Sequence, residues 1–413
     1  MFENIKNTSH YEWDVIVIGS GLAGIYTALN IESSKRILVV TKRERMNSNS
    51  SLAQGGIAAV LSKDDSIELR LKDTMRAGAY ENDELMLRYL IESGPDELHR
   101  LQEWQVPFDK SKGELCLARE GAHSVRRIAR CGDHTGKSLM ETLFKRLDKQ
   151  PNIEVYDHTT VTDLKLLNDK IDGIICVRKN KLLTLRAKYV VMATGGLGQL
   201  FQHTTNDETI TGDGFNLAKQ AGLQLKHMDK IQFHPTAFFE EGVYGKRFLI
   251  SEALRGEGAI LKDDEGYAFM DSLHPLGSLA PRDIVSAAII SKMNEKSLSH
   301  VYLDATHLPE LVFSKRFPTI YKHCKSFGLD TSRDFLPVVP CAHYLMGGIP
   351  IDQNGRTKLK GLYACGEVAY TNVHGNNRLA SNSLLECLVF GRAVAEAINE
   401  INVNEERVWI IDK

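Results

Sequence analysis

Residues 13–18 form a short run rich in β-branched side chains that ends at Gly19, and the chain then reads Gly19-Ser20-Gly21-Leu22-Ala23-Gly24. A G-x-G-x-x-G that closes a strand and opens a helix leaves few folds open. Ala and Leu recur at helical spacing over residues 22–31, and the apolar run 37–40 supplies the next strand, so residues 13–41 read as one β-α-β unit. A parallel sheet follows. Gly19 permits the tight turn, Gly21 lets a pyrophosphate approach the backbone, and Gly24 lets helix pack on strand. The unbonded N–H groups at the helix start favour phosphate charge, so this segment, with Ser20 and Ala23 inside it, is a predicted dinucleotide site. Its second strand departs from the usual pattern. Val39-Val40-Thr41-Lys42 stands where an acidic residue normally takes the ribose hydroxyls. Thr41 can still hydrogen-bond a ribose; Lys42 is either a phosphate contact or a solvated loop charge.

At 413 residues the chain has room for two or three domain-sized units. Its 51 basic residues nearly cancel 53 acidic ones. No global field therefore draws nucleic acid or a membrane surface, and any anion selectivity must be local. No stretch approaches the roughly 18 consecutive apolar residues of a membrane span, and residues 1–10 are polar where a secretory signal is apolar. A cytoplasmic protein is the expectation. The nearest two of the seven cysteines, Cys116 and Cys131, stand fifteen positions apart. That spacing excludes C-x-x-C redox and zinc patterns, so the thiols are expected to be reduced and mostly structural, with no metal site.

From about residue 68 to 105 apolar positions recur with a period near 3.6, which predicts helices broken at Gly94-Pro95. Short alternating runs at 153–155, 161–164, 171–177 and 183–185, then a buried strand at 189–193, predict a small antiparallel sheet feeding back into the parallel one. The turn-rich stretch 229–343, with Gly256, Gly258, Gly266 and an apolar helix over 284–293, reads as an inserted second domain. A strand at 362–365 and a helix at 383–398 resume the first pattern. The nucleotide domain is thus expected to be discontinuous, 1–228 and 344–401, around an insert at 229–343, with a tail at 402–413.

Ser48-Asn49-Ser50-Ser51-Leu52-Ala53-Gln54-Gly55-Gly56-Ile57 can present backbone amides to a ring edge and to phosphates, or it is an ordinary flexible loop. Three further segments extend the theme: Ala193-Thr194-Gly195-Gly196, Thr211-Gly212-Asp213-Gly214 and Ala364-Cys365-Gly366-Glu367. Val161 joins them as a candidate contact. Together they predict a cofactor that runs much of the domain's length, FAD rather than NAD. Glu367 and Ser381-Asn382-Ser383-Leu384 read as flavin contacts, the last helix bringing its N-terminus near the pyrimidine end of the ring, where reduction builds negative charge.

The segments Gly19 to Gly24, Ala53-Gln54-Gly55-Gly56, Arg119-Glu120-Gly121-Ala122-His123-Ser124, Gln232-Phe233-His234-Pro235-Thr236, 252–258, Ala280-Pro281-Arg282-Asp283, Ala342-His343-Tyr344 and 374–386 carry a family likeness. Over residues 12–400 the chain resembles the succinate dehydrogenase/fumarate reductase flavoprotein superfamily. The resemblance implies an α/β fold, with a discontinuous Rossmann-like FAD-binding domain and an inserted α+β capping domain. The segment 119–124 resembles the branch that oxidises L-aspartate to iminoaspartate, with oxygen (giving hydrogen peroxide) or fumarate as acceptor. That reaction opens de novo NAD synthesis, with quinolinate synthase as pathway neighbour. Relatives that attach FAD covalently carry a histidine five residues before the glutamine of A-Q-G-G; this chain has Asn49, and an amide is no nucleophile, so noncovalent FAD is expected. Two departures stand out. Ala122 replaces a second glycine, and the chain stops at Lys413, so the C-terminal helical domain usual in that branch is expected to be absent.

A C4 amino dicarboxylate presents two carboxylates and one ammonium. The resemblance assigns Arg282, Arg378, His234 and His343 to the carboxylates and Glu120 to the ammonium. Arginine pairs both oxygens of a carboxylate and stays charged, while histidine donates from either nitrogen and can switch charge. Singly, each has a plainer reading: His234 as a hydrogen-bonded core residue, Arg378 as a loop brace. In fumarate-reducing members the arginine at the position of Arg282 is the proton shuttle; here it either moves a proton or only orients substrate. Glu252 and Arg255, spaced to share a helix face, form a structural ion pair or a shell around Arg282, and Ser251 is a weaker substrate contact. A soluble fumarate reductase or succinate dehydrogenase flavoprotein is the rival enzyme, disfavoured by Asn49 and Glu120. A catalytically silent FAD binder is the rival from another class, and it has no need of so many dicarboxylate-binding groups.

Overall fold

The computed structural model describes residues 12–409, with side chains through residue 401. The polar segment 1–10 and the end of the expected tail lie outside the described residues. Trp13–Ile18 pairs in parallel with Ile37–Val40 on one side and with Lys181–Met192 on the other. Leu362–Ala364 adds a further parallel strand next to Lys181–Met192. Both faces of this sheet are covered. Val15 and Val17 point into one apolar cluster and Ile16 and Ile18 into another, which is why the strand reads as an unbroken hydrophobic run.

The run at 153–155 was expected in the antiparallel sheet. Instead Ile153–Tyr156 is a parallel edge strand in register with Ile37–Val40. Only Thr159–Leu167, Lys170–Arg178 and the first half of Lys181–Met192 run antiparallel. One long strand therefore serves both arrangements. A second correction concerns Gly94-Pro95, because the helix Glu84–Glu103 runs straight through Pro95. Buried Leu87, Leu90, Ile91, Leu98 and Leu101 carry the apolar face across that point, and this packing outweighs the one backbone hydrogen bond that proline removes.

A second, six-stranded sheet is centred on Leu336–Leu345, which pairs antiparallel with Ile231–Phe238 and Val301–Asp304. It also takes His203–Thr204, from upstream of residue 229. Its core includes Phe238, Leu254, Leu261, Val285, Ile289, Val301 and Val338. The last helix, Asn382–Trp409, packs on Leu22–Asn30 under the parallel sheet and continues beyond residue 401, where a tail was expected.

Candidate active site

A cavity of about 940 Å³ is lined from both sheets, at the upper end of the size of small-molecule pockets. Its floor is the turn Gly19 to Ala23, with Thr41, Lys42, Val161, Ala193, Thr194, Gly195 and Asp213 beside it. Ser48 and residues 51–56 form one wall, and Glu367, Ser383 and Leu384 also line it. Gly24 and Gly196 do not line it. A Cβ at Gly24 would strike the carbonyl of Gly19, and one at Gly196 the carboxyl of Glu367, so both serve close packing behind the wall.

Local bonds hold this wall in place. Ser20 Oγ donates to Thr41 Oγ1 at 3.0 Å, and the N–H of Leu22 donates to Ser50 Oγ at 2.9 Å. Ser48 caps the short helix Asn49–Leu52, so this stretch is not a loose loop. Asn49 accepts from the N–H of Asp207 at 2.7 Å. Lys42 is not a solvated loop charge, since its ammonium pairs with Asp213 at 2.5 Å. Several polar atoms on the cavity wall are buried without a partner: Gln54 Oε1, Thr194 Oγ1, His234 Nε2 and Arg378 Nε. Unmatched buried polar atoms facing a cavity are what a polar ligand satisfies. With the phosphate-binding turn, these features fit an extended dinucleotide such as FAD.

Toward the second sheet the wall becomes cationic. His234 on Ile231–Phe238 and His343 on Leu336–Leu345 face each other across neighbouring strands, with ring centres 5.0 Å apart. Burial first, then the charge of Arg282, holds both well below the ordinary histidine pKa. They are therefore neutral, not charge switches. The N–H of Thr236 donates to His234 Nδ1 at 3.2 Å, so the ring proton sits on the unpartnered Nε2. His343 Nδ1 hydrogen-bonds Thr205 Oγ1 at 2.6 Å.

Arg282 opens the helix Arg282–Lys296. Its Nε donates to Glu252 at 2.6 Å and its Nη1 to Gln232 at 3.1 Å. Glu252 also lies 3.5 Å from Arg255, and Ser251 caps the short helix that carries both. Burial works against the Glu252 charge, but the two guanidiniums outweigh it and keep this carboxyl below its usual range. Arg255 does not line the cavity; it is fully buried and donates to the carbonyl of Ser278. The ion pair and the shell around Arg282 are thus one chain, Arg255–Glu252–Arg282. Arg378 lies over the Tyr344 ring at 4.5 Å and donates to Ser383 Oγ. Burial, then the like charge of Arg282, lowers its pKa to about 10, which leaves it charged at neutral pH.

Glu120 is 5% exposed and accepts from Ser381 Oγ at 2.7 Å. Burial and the neighbouring Glu252 charge push its pKa up, against the pull of that hydroxyl and of Arg282 and Arg378. Its loop is tied down by Ser124, which donates to Asp73, and by His123, bonded to the carbonyl of Ala380. Ala122 takes φ +62°, the left-handed region where glycine is at no cost. Gln232, Thr205, Ser381 and Tyr344 join the site without having been singled out. Gln232, Ser381 and Tyr344 lie inside quoted motifs, where their types signal nothing alone, and no sequence signal marks Thr205.

Across the cavity mouth, Asp133 accepts from the N–H and hydroxyl of Thr319 at 2.8 and 2.9 Å and from the N–H of Ile320 at 3.3 Å. It caps the helix Pro318–Ser326, which has no side-chain cap of its own at Phe317.

An FAD binding domain model matches residues 14–384. An L-aspartate oxidase of Clostridium acetobutylicum is 42% identical over 94% of this chain and 88% of its own length. One from Bacillus subtilis is 44% identical over 93% of this chain and 71% of its own. Among solved structures, a quinol fumarate reductase of E. coli aligns with a TM-score of 0.89 and 33% identity, covering 95% of this chain and 71% of that one. Such identity along nearly the whole chain, over a cavity with this donor set, means that the chain belongs to the L-aspartate oxidase family of FAD-binding flavoproteins.

Proposed function

We infer that the protein oxidises L-aspartate to iminoaspartate with FAD, passing electrons to oxygen (giving hydrogen peroxide) or to fumarate, as the first step of NAD biosynthesis. The observation that carries this reading is one cavity wall holding two buried arginines, two neutral histidines and one buried carboxyl. That set complements two carboxylates and an ammonium. Arg282 and Arg378 take the carboxylates, His234 donates from Nε2, and His343 assists. Glu120 receives the ammonium. Its raised pKa also suits it to hold the proton that the amine must shed before C2 can give up hydride. Bound FAD supplies the hydride acceptor. Glu252, held ionised by Arg255, keeps Arg282 oriented, which favours orientation over proton transfer for that arginine.

FAD is proposed to be noncovalent, since Asn49 offers no nucleophile. The unit built on the second sheet, about 229–343, is proposed to cap the flavin, because it supplies His234, Arg282 and His343. A cytoplasmic location rests on the seven free thiols, and quinolinate synthase is the proposed consumer of the product. The likeness to fumarate reductases supports a second reading, a succinate- or fumarate-specific enzyme. Anaerobic addition of each substrate to the yellow protein separates the two: L-aspartate should bleach the flavin band and succinate should not, and the reverse result would overturn the aspartate reading.

A further inference from the structure

Arg70, in the helix Ile67–Ala77, is 0% exposed yet makes a single hydrogen bond, from Nη2 to Asn382 Oδ1 at 3.2 Å. Its Nε and Nη1 are buried without partners. No ion pair among the described residues includes it, because both nearby carboxylates are taken. Arg127 binds Asp65 through two nitrogens, at 2.9 and 3.0 Å, and Asp73 at 2.9 Å. That triad is net negative and Arg70 balances it without contact, so the cluster is polarised, with its positive end at Asn382. Burial lowers the Arg70 pKa to about 9, which still leaves it charged at neutral pH.

A buried cation with one neutral partner is costly, and its surroundings make it more so. Asn382 is the first residue of the helix Asn382–Trp409, whose N-terminus carries partial positive charge of the same sign. Ser381 and Ser383, on either side of Asn382, line the cavity. Two positive sources thus converge behind a stretch of wall distinct from the Arg282 cluster, and they are compensated only when negative charge appears in front of them. We propose that Arg70 is a positioning residue for flavin redox chemistry: through Asn382 and the first turn of the last helix, it favours the negatively charged, reduced form of the bound flavin. This rests on the reading of the cavity as an FAD site.

The test uses purified holoenzyme and reads the two-electron midpoint potential and the affinity for sulfite, which binds flavins more tightly where negative charge on the ring is stabilised. Arg70→Met should shift the reduction equilibrium at least ten-fold toward oxidised flavin, about 30 mV more negative, with sulfite affinity weakened by a similar factor. Arg70→Lys, which keeps the charge, should stay within about three-fold. Asn382→Asp puts a carboxylate against Arg70 at a helix start that favours acidic residues, so it should fold well and still lower the potential. That variant decides the matter if Arg70→Met does not fold. Unchanged potentials in a flavin-bound Asn382→Asp or Arg70→Met protein would reduce Arg70 to a structural brace. A wild-type protein that takes up no FAD would instead overturn the flavin reading itself, and this inference with it.

Discussion

Glu120 sits between Ser381 and the Arg282–Glu252 pair, where its ionised form has one short hydrogen bond and a like charge nearby. Succinate brings no cation to such a site, whereas aspartate brings an ammonium that compensates the carboxylate. Glu120→Gln should therefore weaken aspartate turnover by about 1–3 kcal/mol in kcat/KM, the range for a lost charged hydrogen bond. Fumarate reduction by the reduced enzyme should be kept or improved; equal damage to both reactions would make Glu120 a loop support. Glu367 has a different consequence. Burial raises its pKa from 4.5 to about 7, against the N–H of Leu345 that it accepts. Between those values the native state holds a proton that the unfolded chain has released, so stability falls as pH rises through that window. In FAD-free protein the melting temperature should drop from pH 4.5 to about 7, and Glu367→Gln should flatten the slope. A slope unchanged by the substitution would assign the pH dependence elsewhere.

At the level of elements, the β-α-β unit was legible because its pattern is local: a β-branched run, a glycine turn and an amphipathic helix follow one another within thirty residues. The misplaced run at 153–155 shows where such reading stops. Its strand partner, Ile37–Val40, lies more than a hundred residues away, and a short apolar run carries no mark of whether it pairs in parallel. Pro95 shows the same limit, since what carries the helix through it is packing by distant elements. The site was legible through its charged residues, whose types state their chemistry, but Thr205 and Asp133 are common polar residues whose role depends on distant partners. Asp133 gives a test at this scale. It supplies the cap that the helix Pro318–Ser326 lacks, and so ties an element beside the parallel sheet to one beside the second sheet across the cavity mouth. Asp133→Ala should cost about 1–2 kcal/mol in denaturant unfolding and raise KM for aspartate more than it lowers kcat. Asp133→Asn, which keeps acceptors for part of the set, should lose less. Unfolding curves unchanged by Asp133→Ala would remove the clasp from consideration.

The whole molecule is organised around one cavity that both sheets line. A ligand filling it touches the glycine turn, the capped stretch 48–56, the hairpin residue Val161, the start of the last helix and the strands that carry His234 and His343. Few cavity-lining groups are satisfied twice over, and Gln54 Oε1, Thr194 Oγ1, His234 Nε2 and Arg378 Nε have no protein partner at all. The ligand-free fold therefore carries a desolvation cost that binding relieves, and by mass action a ligand bound only to the native state stabilises it by about 4 kcal/mol at a thousand times its Kd. Because Asn49 is engaged with Asp207 and offers no nucleophile, nothing on this wall fixes FAD by a covalent bond. Acid precipitation of the holoenzyme should then release all of the flavin into the supernatant. Protein stripped of FAD under milder conditions should melt at a lower temperature, and added FAD should restore the melting temperature in a concentration-dependent way. Yellow pellet protein would show a covalent link, and a melting temperature indifferent to FAD would mean that the cofactor does not join the two sheets into one cooperative unit.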